Sequence, residues 1–381
     1  MQKFRKANIL AATSLFLLSG ASTVSAGSVT LAWDGVPDST ISGYDVCWGT
    51  APGIYPACVL NLGNITTYTV GGLADRTAYY FVVKAYNFLG ARSAASVEVS
   101  RRVGVPHPIP GDANGDATAD LTVYRPGNGH WYSWQPRAGK VDEVLWGIAT
   151  DIPAAADYDG DLKQDVTIFR PTTGDWWLLF SSNNSAGIVP WGTVGDTPVP
   201  GDYDGDGKAD IAVFRPADGV WYLRSSINGA ASAVQWGVGT DTPAAGDYDG
   251  DGILDITVFR PVTGQWWQRF SSDSLPRVVQ WGHVGDKPTP GDYDGDGKSD
   301  VAVFRPSNGR WYVRYSGDGR LIETPWGIAT DTPVPGDYDA DGRTDIAVYR
   351  PAVGIWYVLF SSGGAAAYQW GESTDLPILS R

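Results

Sequence analysis

The stretch GDYDGDGKADIAVFRP, Gly201–Pro216, sets four aspartates, Asp202, Asp204, Asp206 and Asp210, around Gly207 and then runs into strand-forming residues. Such a loop is either where a protein acts or what holds it together, and its repetition separates the two. The motif returns with first aspartates at Asp112, Asp157, Asp202, Asp247, Asp292 and Asp337, each step 45 residues with no insertion. Arg125, Arg170, Arg215, Arg260, Arg305 and Arg350, each before a proline, keep the step, as do Trp131, Trp176, Trp221, Trp266, Trp311 and Trp356. A second tryptophan closes each unit (Trp146, Trp191, Trp236, Trp281, Trp326), with Trp370 one residue early. Six units thus occupy residues 111–381.

Inside a unit the pattern is all β. Ile211-Ala212-Val213-Phe214 is apolar on both faces, which predicts a strand buried between two neighbouring sheets. Pro216-Ala217-Asp218-Gly219 supplies a hairpin turn. VWYLRSS and AVQWG read as a third and a fourth strand, and TPAAGDYD leads into the next unit. Four strands in about 45 residues is the size of a β-propeller blade, so six units predict six blades. Two segments compete to close the ring, since the tail TDLPIL and the lead-in PHPIPGD both look like the start of an innermost strand.

Hard oxygen ligands in a tight loop suit Ca²⁺, whereas Mg²⁺ keeps its waters and demands near-octahedral geometry. Carboxylates stand at loop positions one, three, five and nine, glycine permits the turn at six, and the position-seven carbonyl can face inward. The candidate ligands are Asp112, Asn114, Asp116 and Asp120; Asp157, Asp159, Asp161 and Asp165; Asp202, Asp204, Asp206, Lys208 and Asp210; Asp247, Asp249, Asp251, Ile253 and Asp255; Asp292, Asp294, Asp296, Lys298 and Asp300; and Asp337, Asp339, Asp341, Arg343 and Asp345. An EF-hand would need glutamate at position twelve, where Val213 stands in a strand. Asn114 and Ala117 in the first loop and Leu162 in the second predict weaker sites; Ala340 in the sixth reads as a mild change. Up to six structural Ca²⁺ are expected.

Charge points the same way. The chain has 42 acidic and 28 basic residues, net −14, and 23 of the acids lie in these loops, leaving 19 elsewhere. An acidic chain lacks the basic footprint that nucleic acid requires.

GDYDGDGKADIAVFRP resembles the FG-GAP repeat of integrin-type propellers, grouped with VCBS-type repeats, in which an aspartate loop leads into an apolar strand ending in proline. The resemblance spans the six copies and implies a calcium-bearing propeller. Phe214-Arg215 replaces that family's glycine-alanine before the proline, a departure at the place where an integrin-like ligand mode would be read.

The N-terminus differs in kind. Lys3, Arg5 and Lys6, an apolar run from Ile9 to Leu18 and Val24-Ser25-Ala26 read as a signal peptide over residues 1–26, cleaved near Ala26. No later apolar run is long enough to span a bilayer. The expected location is outside the cytoplasm: secreted, at the cell surface, or periplasmic. Loss of the three leader cations makes the mature charge −17, and six Ca²⁺ would bring it to about −5.

Residues 27–102 carry short alternating strands, VTLAWDGVPDSTISGYDV, TTYTVGGL and TAYYFVVKAYN, with Trp33 and Tyr79 as anchors. They resemble a fibronectin type III domain, in which the spacing of Leu73 and Tyr79 implies a tyrosine corner. Cys47 and Cys58 flank a turn, so a local disulfide is expected, two buried thiols being the alternative. Residues 103–110, with Pro106, Pro108 and Pro110, read as a stiff linker.

Modular repeats, many aromatics and no catalytic constellation predict a non-catalytic binding protein for an extracellular glycan or protein. The alternatives are a polysaccharide-active lyase or hydrolase, which would need a blade with added acids, bases or a long loop, and a purely structural matrix component. The repeated tryptophans read as packing. Trp177 and Trp267, on the opposite side of their strands, are the candidates for stacking on a ligand.

Overall fold

The computed structural model describes residues 15–17, 28–37, 40–74, 77–103 and 108–378. Of the expected leader only Leu15–Leu17 falls among them, as a short strand beside Ser28–Trp33; the rest, its cleavage point included, lies outside the described residues. No helix is present among the described residues, so none is long and apolar enough to cross a membrane.

The N-terminal domain is a two-sheet sandwich. Leu15–Leu17, Ser28–Trp33 and Thr67–Gly71 form one sheet; Ala57–Val59, Ile41–Gly49, Thr77–Asn87 and Val99–Val103 form the other. Val29, Leu31 and Trp33 alternate inward and meet Tyr44, Val46, Phe81 and Val83. The amide of Ala74 donates to the Tyr79 hydroxyl at 3.1 Å, the expected tyrosine corner. Cys47 and Cys58 lie opposite each other on paired strands and are disulfide-bonded, which places the chain in an oxidising compartment.

The repeats form six four-stranded antiparallel sheets. In the third, Thr197–Pro198, Ile211–Arg215, Val220–Arg224 and Ala231–Gln235 run from the inner to the outer edge. Its second strand is buried on both sides as its sequence predicts. Ile211 and Val213 pack with Phe169 and Trp176 of the blade before, whereas Ala212 and Phe214 pack with Ile256 and Val258 of the blade after. Each first tryptophan fills the space behind this strand: Trp221 is fully buried, its indole N–H donating to the Trp236 carbonyl at 2.9 Å.

Two sets of hydrogen bonds join blade to blade at opposite ends of the strands. At one end the second tryptophans reach forward, Trp146 Nε1 to the Trp177 carbonyl, Trp191 to Tyr222, Trp236 to Trp267, Trp281 to Tyr312 and Trp326 to Tyr357. At the other, the amide at loop position eight donates to the position-one carbonyl of the preceding loop. The pairs are Gln164–Asp112, Ala209–Asp157, Leu254–Asp202, Ser299–Asp247, Thr344–Asp292 and Ala119–Asp337, and they form a closed ring.

The tail closes the propeller. Leu376–Pro377 pairs with Leu121–Arg125 as the innermost strand of the first blade. Arg125 is held bidentately by Asp375, at 2.7 and 2.8 Å, as every other repeat arginine is held by the aspartate before its own innermost strand. The seam between the last blade and the first is nevertheless distinct. Trp370 Nε1 is buried without a partner, and Trp134, which has no tryptophan equivalent in other blades, packs on Tyr368 and Trp370 with ring centres 5.5 and 5.8 Å apart. Aromatic contact there replaces a hydrogen bond. Trp134→Ala is expected to cost about 2–3 kcal/mol in urea unfolding, less than the roughly 3–5 of a fully buried tryptophan because Trp134 is half-buried.

Candidate metal centres

Each loop is wound around its first aspartate. In the third, Asp202 accepts from the amides of Gly205 and Gly207 through its two oxygens, so the chain must turn sharply at positions four and six. Both glycines are left-handed, with φ of 79° and 89°. Ala117 and Leu162 adopt φ of 63° and 69° at position six, as expected from sequence. Ala340, read as mild, is left-handed too (φ 62°), so position four carries the same penalty of about 1–2 kcal/mol for a non-glycine residue.

Position nine fastens the loop to its blade. Asp210 accepts from the Tyr203 amide at 2.8 Å and the Ser226 amide at 2.7 Å, tying the loop to the next hairpin turn. Tyr203 in turn donates its hydroxyl to the Val199 carbonyl and packs edge-on against Trp221. This tyrosine recurs in step at Tyr158, Tyr248, Tyr293 and Tyr338, a signal carried by the sequence itself, and the same bond is made in each.

Among the described residues, carboxylate oxygens converge in five loops. One oxygen from each of Asp157, Asp159 and Asp165; Asp202, Asp204 and Asp206; Asp247, Asp249 and Asp251; Asp292, Asp294 and Asp300; and Asp337, Asp339 and Asp345 lies within 4.8 Å of the others. Oxygens bound to one Ca²⁺ at about 2.3–2.6 Å stand no more than about 5 Å apart, so the donor sets fit that ion. Asp339 Oδ1 is buried with no hydrogen-bond partner, a lone pair left for a cation. The first loop is not among these clusters: the Asn114 amide donates to Asp120 at 3.2 Å, turning a donor inward where the others present an acceptor. The remaining position-five and position-nine candidates, Asp161, Asp210, Asp255, Asp296 and Asp341, accept protein hydrogen bonds at the rims of these clusters. At position seven, Lys208, Ile253, Lys298 and Arg343 donate their amides to the position-five carboxylates. The side chains of Lys163, Lys208, Lys298 and Arg343 lie over the position-four glycine of the preceding loop.

Burial and mutual repulsion push these carboxyls up: Asp165, Asp202 and Asp337 to about 6, Asp120, Asp210, Asp296 and Asp345 to about 7, and Asp255 and Asp300 to about 8, with burial the largest cause throughout.

The opposite face carries the arginines. Each lies between a fully buried aspartate and an aromatic ring of its own blade. Arg170 is held by Asp151 at 2.8 and 2.9 Å and lies 4.7 Å from the Trp177 ring centre; Arg215 lies 4.1 Å from Tyr222 and Arg260 4.8 Å from Trp267. Trp177 and Trp267 are therefore half-buried, each with an arginine over its ring, and their indole nitrogens are buried without partners. Between the first two blades an open cavity of about 190 Å³ is lined by Leu145, Trp146, Gly147, Ile168, Arg170 and Trp177.

Two family profiles agree with this architecture. The profile described as "FG-GAP-like repeat" matches residues 202–258 and 292–348, and that of the fibronectin type III domain matches 18–101. A Kelch domain-containing protein of Saccharolobus solfataricus is 42% identical over 81 residues, 21% of this chain and 11% of that protein. Chitinase A1 of Niallia circulans is 40% identical over 96 residues, 25% of this chain and 12% of that protein. The chain thus spans about a tenth of the length of either relative. Among solved structures, an Agrocybe aegerita lectin described as recognising non-reducing terminal N-acetylglucosamine aligns with a TM-score of 0.49 and 17% identity, over 72% of this chain and 85% of that one. With six aspartate loops in step and a tyrosine-cornered sandwich before them, the chain carries FG-GAP-like repeats arranged as a propeller behind a fibronectin type III domain.

Proposed function

We propose that this is a secreted, calcium-stabilised, non-catalytic binding protein whose propeller recognises a glycan at the cell surface or in the matrix. The observation that carries the ligand class is the cavity between the first two blades. At about 190 Å³ it is small beside the roughly 300–1,000 Å³ of small-molecule pockets, a size for one sugar ring. Leu145 and Trp146 offer apolar surface to the C–H face of a sugar, and Arg170, held in place by Asp151 and lying over Trp177, offers N–H donors to hydroxyl or carboxylate oxygens. Non-catalytic binding is preferred to the lyase or hydrolase alternative because that alternative asks for a blade that departs from the repeat, and the six units keep one 45-residue step. A protein ligand is the second reading, favoured by Val194 and Val284, each 76% exposed on the same face.

A glycan array with and without chelator tests this. Leu145 is 63% exposed, so Leu145→Glu leaves the fold intact while placing a charge at the groove, and at least a tenfold loss of binding is expected. Depolymerisation of any polysaccharide would overturn the non-catalytic reading, and undiminished glycan binding by L145E would overturn the site.

A further inference from the structure

The fibronectin type III domain rests on the loop end of the propeller. Its Ser100 amide donates to the Asp296 carbonyl of the fifth loop at 3.2 Å, and Val97 abuts Gly317, where an added Cβ would come within 2.9 Å of it. The same contact holds the ion pair of Glu98 with Lys298, at 3.2 Å, each side chain 17% exposed. Lys298 is confined on other sides as well. Its stem lies against Gly250 of the fourth loop, and its ammonium stands 5.7 Å from the centre of the Tyr80 ring.

Glu98 divides its two oxygens between the domains. Oε1 takes the Lys298 ammonium, whereas Oε2 accepts from the Gly53 amide at 2.8 Å and from the Tyr55 hydroxyl. Gly53 and Tyr55 belong to the turn that joins Ile41–Gly49 to Ala57–Val59, and Gly53 is left-handed there, with φ of 72°. Ala57–Val59 is a three-residue edge strand with none of its side chains buried, paired through Val46–Val59, Cys47–Cys58 and Trp48–Ala57. An edge so short and so little buried opens easily by itself. The Cys47–Cys58 bond crosses it at the middle pair.

We propose that the Cys47–Cys58 disulfide keeps the fibronectin type III domain latched to the propeller: it holds the hairpin whose Gly53 and Tyr55 fix Glu98, and Glu98 so fixed holds Lys298. Reduction breaks the S–S bond, two electrons and two protons from a dithiol giving two cysteine thiols while the dithiol closes to its own disulfide. Cys58 is exposed, so a small dithiol reaches the bond. Opening the hairpin withdraws two donors from a largely buried carboxylate, and a buried charge is costly without its partners. The latch is therefore closed in the oxidising compartment where the disulfide forms and loosened by reductant. Because the contact lies at the loop end, a closed latch fixes the direction of the arginine face relative to the N-terminal domain and leaves that face clear.

The Ser100 amide reports the latch, because its acceptor lies across the contact. In the full chain, hydrogen exchange at that amide should accelerate at least tenfold in dithiothreitol, and Lys298→Met should give the same acceleration with the disulfide intact. Dithiothreitol added to Lys298→Met should accelerate it no further, since disulfide and ion pair act through one chain of contacts. Tyr55→Phe, which removes one donor from Glu98 and leaves the disulfide in place, should accelerate it at least threefold. Amides paired between Ser28–Trp33 and Thr67–Gly71, in the other sheet of the sandwich, should exchange as slowly as before. A Ser100 rate indifferent to dithiothreitol or to Lys298→Met would overturn the proposal. If dithiothreitol also speeds the other sheet, Tyr55→Phe decides: an unchanged Ser100 rate in that variant makes the disulfide a support of the whole domain and overturns the latch, whereas a threefold rise sustains it.

Discussion

Chelation at pH 8 should lower the thermal midpoint of the propeller by more than 10 °C, and the same chelation at pH 5 by only a few degrees. An ion that binds the folded chain alone stabilises it by about 2.7 kcal/mol at one hundred times its dissociation constant. Five convergent clusters at that occupancy contribute on the order of 13 kcal/mol. Each kcal/mol moves the midpoint of a domain of about 150–250 residues by roughly 2–4 °C, so even half of this exceeds 10 °C in a larger propeller. The pH dependence follows from the direction of the carboxyl shifts. Folded values of about 6 to 8 at Asp202, Asp210 and Asp300 lie above the unfolded value, so the protonated, ion-free loops favour folding fully at low pH. That contribution disappears as pH rises through 6 to 8, the range in which the carboxylates become free to take a cation. The ion-free protein should therefore lose stability from pH 5 to 8 and the calcium form should not, a crossing readable by differential scanning calorimetry in EGTA and in millimolar Ca²⁺.

The architecture was legible because its determinants are side chains repeated at a fixed step. Ile211 and Phe214 on opposite faces of one strand require a sheet on each side, and six units in step, each flanked in this way, fit a closed ring. The joints between blades were not legible, because the bond from the Ala209 amide to the Asp157 carbonyl is made by backbone that any residue could supply. It changes the meaning of the loop: besides stapling two strands within a blade, it links each blade to the one before. The arginine partners were half legible. Stacking on an aromatic and pairing with an aspartate are alternatives in sequence, whereas Arg215 does both at once, Asp196 fixing the guanidinium edge while Tyr222 takes its face. The contact of the fibronectin type III domain with the propeller had no signal at all: the Ser100 amide donates to the Asp296 carbonyl at 3.2 Å, a bond that any residue's backbone could make.

Removing residues 372–381 should abolish the monomeric propeller, giving aggregated or strand-exchanged oligomers in size-exclusion chromatography and loss of the cooperative transition. The lead-in could not replace the tail, although both look like innermost strands. In the other five repeats the aspartate that holds the arginine stands six residues before the first loop aspartate, as Asp196 does before Asp202; counting back from Asp112 reaches Pro106. Proline offers no carboxylate, so only the tail can satisfy Arg125, through Asp375. Truncation leaves that guanidinium, 21% exposed, without its partner, and removing one member of a buried pair costs roughly 3–5 kcal/mol. It also frees the edge of Leu121–Arg125, whose unpaired amides and carbonyls invite the tail of another molecule. Asp375→Asn separates the two effects. The innermost strand remains, only the charge is lost, and a monomer destabilised by about 3 kcal/mol is expected. A truncated chain that stayed monomeric and melted like the full-length protein would show that the ring is held by the loop-to-loop bonds and the Trp134 seam alone, and that the tail merely lies against it.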